Sequence, residues 1–215
     1  DLSDPAQISG MPRIAVAPDE TNTVIWRGSA GSDTRIRAAT RPPGGSFSAP
    51  VNISAAGQSP NQPWLAVAPD GTATAIWYTT NIVQPRIQTS TRPPSGSFSA
   101  PVNLALATGI TGFSSPRIAV APDGTATAVW VRGDTLSPKI QTATRPPGGS
   151  FSAAIDLSVV TVSPPSNASS PQIAVAPDGT ATALWAQGGD LQVATKPPSG
   201  RFGAAVNVRT GGKGG

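Results

Sequence analysis

The stretch Pro116-Arg-Ile-Ala-Val-Ala-Pro-Asp-Gly-Thr-Ala-Thr-Ala-Val-Trp130 decides the reading of this chain. Arg117–Ala121 alternates large and small side chains, and Thr125–Trp130 alternates β-branched residues with Ala. Both patterns belong to strands, the second to a strand packed closely on both faces. Between them lies Pro122-Asp-Gly124. Its Pro presets φ and its Gly takes the positive φ of a tight hairpin.

The stretch recurs. Ile118–Asp123 matches Ile14–Asp19, Leu65–Asp70 and Ile173–Asp178. Each copy runs on to a tryptophan, Trp26, Trp77, Trp130 or Trp185, at spacings of 51, 53 and 55 residues. A second block repeats in step as Ile36–Phe47, Ile87–Phe98, Ile140–Phe151 and Leu191–Phe202. Its core reads Thr-Arg-Pro-Pro-Gly-Gly-Ser-Phe, a turn joining strands such as Lys139–Thr144 and Phe151–Leu157. Each unit is therefore expected to be a four-stranded antiparallel meander, and radial repetition of that unit builds a β-propeller.

The expected fold is an all-β propeller of four repeats, at about 4–54, 55–105, 106–158 and 159–210. These form one domain over 1–210, followed by a flexible Gly-rich tail at 211–215. An alternative stays open. Asp1-Leu2-Ser3 has the phase of a fourth strand, although Val206-Asn-Val208 already supplies one for the last repeat. The chain thus also reads as half of a larger propeller completed by oligomerisation, with self-association through unpaired strand edges.

Composition narrows the chemistry. The 215 residues are 12% charged, with 23 Gly, 24 Pro, no Cys and no His. That inventory removes disulfides, Ser–His–Asp and Cys–His sites, and histidine or cysteine metal ligands, so no metal or cofactor is expected. The net charge of +4 comes from Lys and Arg scattered singly, unlike the clustered cations of a nucleic-acid binder. No apolar run approaches the length of a membrane span, so no membrane insertion is expected.

The quoted stretch, followed by Ile140-Gln-Thr-Ala-Thr-Arg-Pro-Pro-Gly-Gly-Ser-Phe-Ser-Ala153, resembles repeats of secreted bacterial β-propellers. Such repeats are often labelled sialidase-like, and similar blades occur in propeller lectins. The resemblance implies blades and location outside the cell or at its surface, and leaves the activity open. A sialidase-type site would need an arginine cluster, an acid and a Tyr activated by Glu. Here the single Tyr78 and single Glu20 sit at opposite ends of the second strand of their repeats.

Repeated residues read as structure. The Trp and Phe columns suit inter-blade core, and Asp19, Asp70, Asp123 and Asp178 suit bonds within their turns. The cationic column Arg41, Arg92, Arg145 and Lys196 reads as solvated strand-end charge. The repeats differ mainly in their second connections and inter-blade links, which lie on one face of the disc. Off-pattern residues on that face are the candidate ligand-binding set: Trp64, Tyr78, Phe113, Arg27, Asp33, Asn61, Gln62, Arg132, Asp134 and Asp190. The expected function is non-enzymatic extracellular recognition of a glycan, in the manner of a lectin. A structural or assembly protein is the rival reading, and a sialidase-like glycosidase the third.

Overall fold

The computed structural model describes residues 8–80, 84–107, 112–133, 137–158 and 167–208. Asp1–Ser3, Asp134 and the 211–215 tail lie outside the described residues. Within them the chain forms four antiparallel sheets of four strands, and no helix. Blade one is β1 (Ile8–Val16), β2 (Asn22–Ala30), β3 (Asp33–Arg41) and β4 (Val51–Asn52). Blade two is β5 (Pro60–Val67), β6 (Ala73–Thr79), β7 (Arg86–Arg92) and β8 (Val102–Leu106). Blade three is β9 (Gly112–Val120), β10 (Ala126–Gly133), β11 (Lys139–Arg145) and β12 (Ile155–Asp156). Blade four is β13 (Ala168–Val175), β14 (Ala181–Gln187), β15 (Asp190–Lys196) and β16 (Val206–Asn207).

The first hairpins form as their residues require. Asp70 accepts from the Thr72 amide at 2.8 Å and the Thr72 hydroxyl at 3.0 Å, and Asp19, Asp123 and Asp178 do the same. Gly71, Gly124 and Gly179 take φ of 85° to 87°, and Glu20 is held at 65° in the equivalent place. The outer strands are shorter than expected: β12 keeps only two residues of Phe151–Leu157. Serine explains the loss. The Ser152 amide bonds Thr144 O at 2.8 Å, but the Thr144 amide turns to the Ser152 hydroxyl instead of a backbone carbonyl.

Blades pack face to face through three cores. Trp77 joins Ile25, Ile36 and Ala38 of blade one, Trp130 joins Ile76 and Ile87 of blade two, and Trp185 joins Val129 and Ile140 of blade three. Three buried indole N–H groups donate to a glutamine: Trp77 to Gln88 at 3.1 Å, Trp130 to Gln141 at 3.2 Å, and Trp185 to Gln187 at 2.9 Å. Of the cationic column only Arg41 is exposed; Arg92, Arg145 and Lys196 are buried rather than solvated. Arg92 reaches back one blade to the Thr23 hydroxyl at 3.1 Å, and Arg145 to Thr74 and Thr91 at 2.8 Å each. These arginines are latches between blades.

The first strands stand side by side as an inner wall, β1 on β5, β5 on β9 and β9 on β13. Among the described residues, β13 and β1 have no comparable packing.

Replacing Trp130 by Ala is expected to cost about 3–5 kcal/mol, read as a fall in urea midpoint, because a fully buried indole and its glutamine bond are lost. Glu20→Gly should act the other way. It relieves a positive φ at the cost of a looser unfolded chain, for a net gain of up to about 1 kcal/mol. A less stable variant would show that the carboxylate holds the hairpin.

Candidate functional site

The inner wall carries an irregularity in all four blades. Two residues of each first strand face a single Trp of the second: Met11-Pro12 opposite Trp26, Gln62-Pro63 opposite Trp77, Ser115-Pro116 opposite Trp130, and Ser170-Pro171 opposite Trp185. Proline has no N–H to give the ladder, so the strand bulges there. The residue before it takes a positive φ: 54° at Met11, 45° at Gln62, 52° at Ser115 and 54° at Ser170. Strained non-glycine backbone of this kind tends to gather where side chains must be aimed. The residues next after the bulges are Arg13, Trp64, Arg117 and Gln172.

Three of these four form a stack. The Arg13 guanidinium lies 4.5 Å from the Trp64 ring centroid and that of Arg117 lies 4.3 Å from it. Each contact is of the cation–π kind, and together they gather two like charges around one ring. Each arginine donates Nη1 to the carbonyl of its preceding proline, at 2.8 Å for Arg13 and 2.9 Å for Arg117. Both Nε atoms are buried with no partner. Burial, and next the neighbouring Arg13 charge, lower the pKa of Arg117. Among the described residues the ion pairs are Arg35–Asp33 and Lys139–Asp156, so no carboxylate neutralises the stack. Three residues further along each first strand, Val16, Val67, Val120 and Val175 line one axial cavity of about 510 Å³ with the Ala-Pro pairs that follow them.

The expected loop-face set is largely dispersed through the fold. Trp64 lies within β5, half-buried, with guanidinium ions on its ring rather than free faces for a sugar. Phe113 is buried in the core between blades two and three. Gln62 occupies a bulge and accepts from the Ser115 amide at 2.8 Å, and Asn61 accepts from the Gln62 amide at 2.9 Å. Arg27 donates to Pro60 O at 3.3 Å across the first blade interface. Asp33 holds Arg35 at 2.9 Å, and Asp190 accepts from Asn207 at 3.4 Å. Arg132 is half-buried near Asp156. Tyr78 is half-buried at the end of β6. Missing from the set were Arg13 and Arg117. Their signal was the column they share with Trp64, each residue directly after a proline.

No protein-family model and no curated protein matches the chain. Solved structures do. A protein of unknown function from Dyadobacter fermentans superposes with a TM-score of 0.62 at 11% identity, over 95% of this chain and 70% of that one. An α-L-arabinanase from Penicillium chrysogenum, solved with arabinobiose, gives 0.59 at 12%, over 94% and 67%. An α-L-arabinofuranosidase from Fusarium graminearum, solved with an iminosugar inhibitor, gives 0.61 at 14%, over 97% and 68%. At such identities the likeness establishes a fold, the β-propeller shared with arabinanases and arabinofuranosidases.

That finding corrects the expectation of a non-enzymatic protein, lectin-like or structural. The solved chains that share the fold over nearly the whole of this one include glycoside hydrolases. The sequence argument against catalysis rested on the missing His and Cys, on the separation of the single Tyr78 from the single Glu20, and on the Asp residues of the turns. Glycosidic bonds are cleaved chiefly by carboxylates, so the missing His and Cys do not bear on the question.

Burial raises the pKa of the Tyr78 phenol, and the Arg27 cation offsets this only in part. Ultraviolet titration of the single tyrosine should therefore give a midpoint above the ordinary tyrosine value, about 10. The sign for stability follows: the contribution is full below the ordinary value and disappears as pH rises through the raised one. Tyr78→Phe should remove that alkaline loss. An ordinary midpoint would mean that the ring is solvated.

Proposed function

We propose that this chain is a carbohydrate-active propeller that cleaves glycosidic bonds in an acidic glycan held at the axis by sugar carboxylates. One observation carries the reading, the Arg13–Trp64–Arg117 stack with its unpartnered Nε atoms and no neutralising acid. Uncompensated cations on an inner wall favour an anionic ligand. Guanidinium is suited to carboxylates because it presents donors in a planar fork. The arabinobiose held by the Penicillium chrysogenum enzyme lends support to a sugar ligand, and the acidic character rests on the arginines alone.

Glycoside cleavage uses a pair of carboxyl groups, one protonating the leaving oxygen, and Glu20 is assigned here as one of the two. It stands at the first hairpin, next to the Val16-Ala17-Pro18 wall of the axial cavity, and its side chain has no bond within the turn. Asp19, Asp70, Asp123 and Asp178 are each engaged by a threonine two residues on. A polymeric substrate too large to enter a cell sets this activity outside it or at its surface.

Incubation with a uronic-acid polymer and with neutral arabinan tests the reading through release of reducing ends. Products are expected from the acidic polymer. Arg13→Gln and Arg117→Gln should each lower activity about tenfold or more, the effect of losing one charge-assisted bond. Glu20→Gln should abolish turnover while leaving glycan binding intact. Cleavage of arabinan alone, or acidic turnover indifferent to both arginines, would refute the acidic-glycan reading. The absence of products from both polymers would refute the enzymatic one.

A further inference from the structure

Two grooves at the rim of the disc have the same construction. Each lies where the outermost strand of one blade meets the Pro-Pro turn of the next. One, of about 420 Å³, lies between blades one and two and is lined by Thr40, Val51, Asn52, Arg92, Ser97 and Phe98. The other, of about 370 Å³, lies between blades two and three and is lined by Thr91, Val102, Asn103, Arg145, Ser150 and Phe151. Position for position the residue types are identical. Both volumes fall within the range of small-ligand sites, about 300–1,000 Å³. β4 and β8 are the outer strands of their sheets, whereas the Arg13–Trp64–Arg117 stack stands on inner strands, so the grooves are separate from the axial site.

Each groove gathers three kinds of group. Val51 and Val102 are 53% and 62% exposed, and Phe98 and Phe151 are half-buried, so apolar surface faces water. Beside it stand uncommitted polar groups. The Asn52 amide and the Ser97 and Ser150 hydroxyls have no hydrogen bond among the described residues. Asn103 Oδ1 accepts from Gln88 at 3.0 Å, which leaves the amide N–H groups of Asn103 free to donate. The third element is charge. Arg92 and Arg145 are buried at the floor, and no carboxylate lines either groove. Their Nη atoms are committed to Thr23, Thr74, Thr91 and the Pro94 carbonyl, so each acts on its groove as a positive field rather than as a fork of donors. Asp19 and Asp70 offset the burial of these cations only in part, and both are held in their hairpins by Thr21 and Thr72.

We infer that each groove seats one sugar unit of an acidic glycan, its ring against Phe and Val, its hydroxyls on Asn and Ser, and its carboxylate toward the buried arginine. The ligand class rests on the acidic-glycan reading of the axial site, while the grooves stand on their own geometry. A sugar ring pairs an apolar C–H face with a rim of hydroxyls, which is the pairing that the lining offers. A sugar acid is favoured over a neutral sugar because a buried cation gains from an opposite charge. The third interface supplies the contrast. There Asp156 takes the place of Asn52 and Asn103 opposite the third strand, held by Lys139 and Gln141 at 2.9 Å each. A fixed carboxylate there repels the acid that the other two grooves attract. The chain thus carries two rim sites one blade apart. Filling both with one polymer strand keeps the substrate beside the axis between cuts.

Isothermal titration of a uronic-acid disaccharide into the whole chain carrying Glu20→Gln, which binds without cleaving, reads the sites separately. Three sites per chain are expected, one axial and two at the rim. Val51→Glu and Val102→Glu should each remove one, through a like charge that weakens binding there about tenfold or more. Val51→Lys and Val102→Lys should keep both rim sites and tighten them. Unchanged thermal melts would show that these exposed substitutions leave the fold intact. Arabinobiose should fill neither groove. A single site, lost with Arg13→Gln and Arg117→Gln and indifferent to the valines, would overturn the inference. So would valine variants of either charge that weaken binding alike, or arabinobiose held in the grooves as tightly as the sugar acid. Two sites insensitive to those arginines but lost on Val51→Glu and Val102→Glu would support the rim sites and refute the axial reading instead.

Discussion

The structure depends on one contact repeated three times, a tryptophan of one blade seated against the small and branched residues of the blade before it. Trp77, Trp130 and Trp185 each sit almost wholly out of water. Their sites exist because Ala73, Ala75, Ala126 and Ala128 keep the central strands thin enough for sheets to approach. An indole buries a large apolar area, but its N–H must find an acceptor in the dry interface. Gln88 and Gln141 meet that need from the neighbouring strand of the same blade, and Gln187 does so from the same strand. The polar bond sets where the ring lies, and the apolar contact provides the stability.

The same packing draws the four first strands together, and the axial chemistry follows from that convergence. Each tryptophan faces a bulge with a proline, and each bulge re-aims the residue that follows. Sheet and site are therefore coupled. Arg13 and Arg117 belong to blades one and three, yet both meet Trp64 of blade two. Positive backbone angles at Met11, Gln62, Ser115 and Ser170 are the strain that accompanies this aim, offset by the inter-blade cores on either side. The Gln62 side chain contributes further by bonding the strained Ser115 backbone of the next blade.

Blade architecture was readable in the sequence because its signals are local. The Pro-Asp-Gly turns and the Trp and Phe columns needed no knowledge of distant neighbours. The site was less readable. Trp64 stood out as the odd member of its column, but its two partners looked ordinary in their own repeats. Phe113 and Gln62 read as loop residues in the sequence because the bulged strands reach further back than periodicity shows. The arginines before the Pro-Pro turns were misread for a related reason: Arg145 and Thr74 are 71 residues apart, and no local pattern announces such a bond.

By itself the sequence determined the repeat, the four-stranded unit, the hairpin chemistry and the inventory of reactive groups. Each of these rests on interactions among residues close along the chain. Only the tertiary structure decided which faces of the blades are buried, that cations at strand ends are latches, and that two guanidinium ions share one indole. These properties arise between blades some fifty residues apart, where packing geometry, not local propensity, sets which side chains meet.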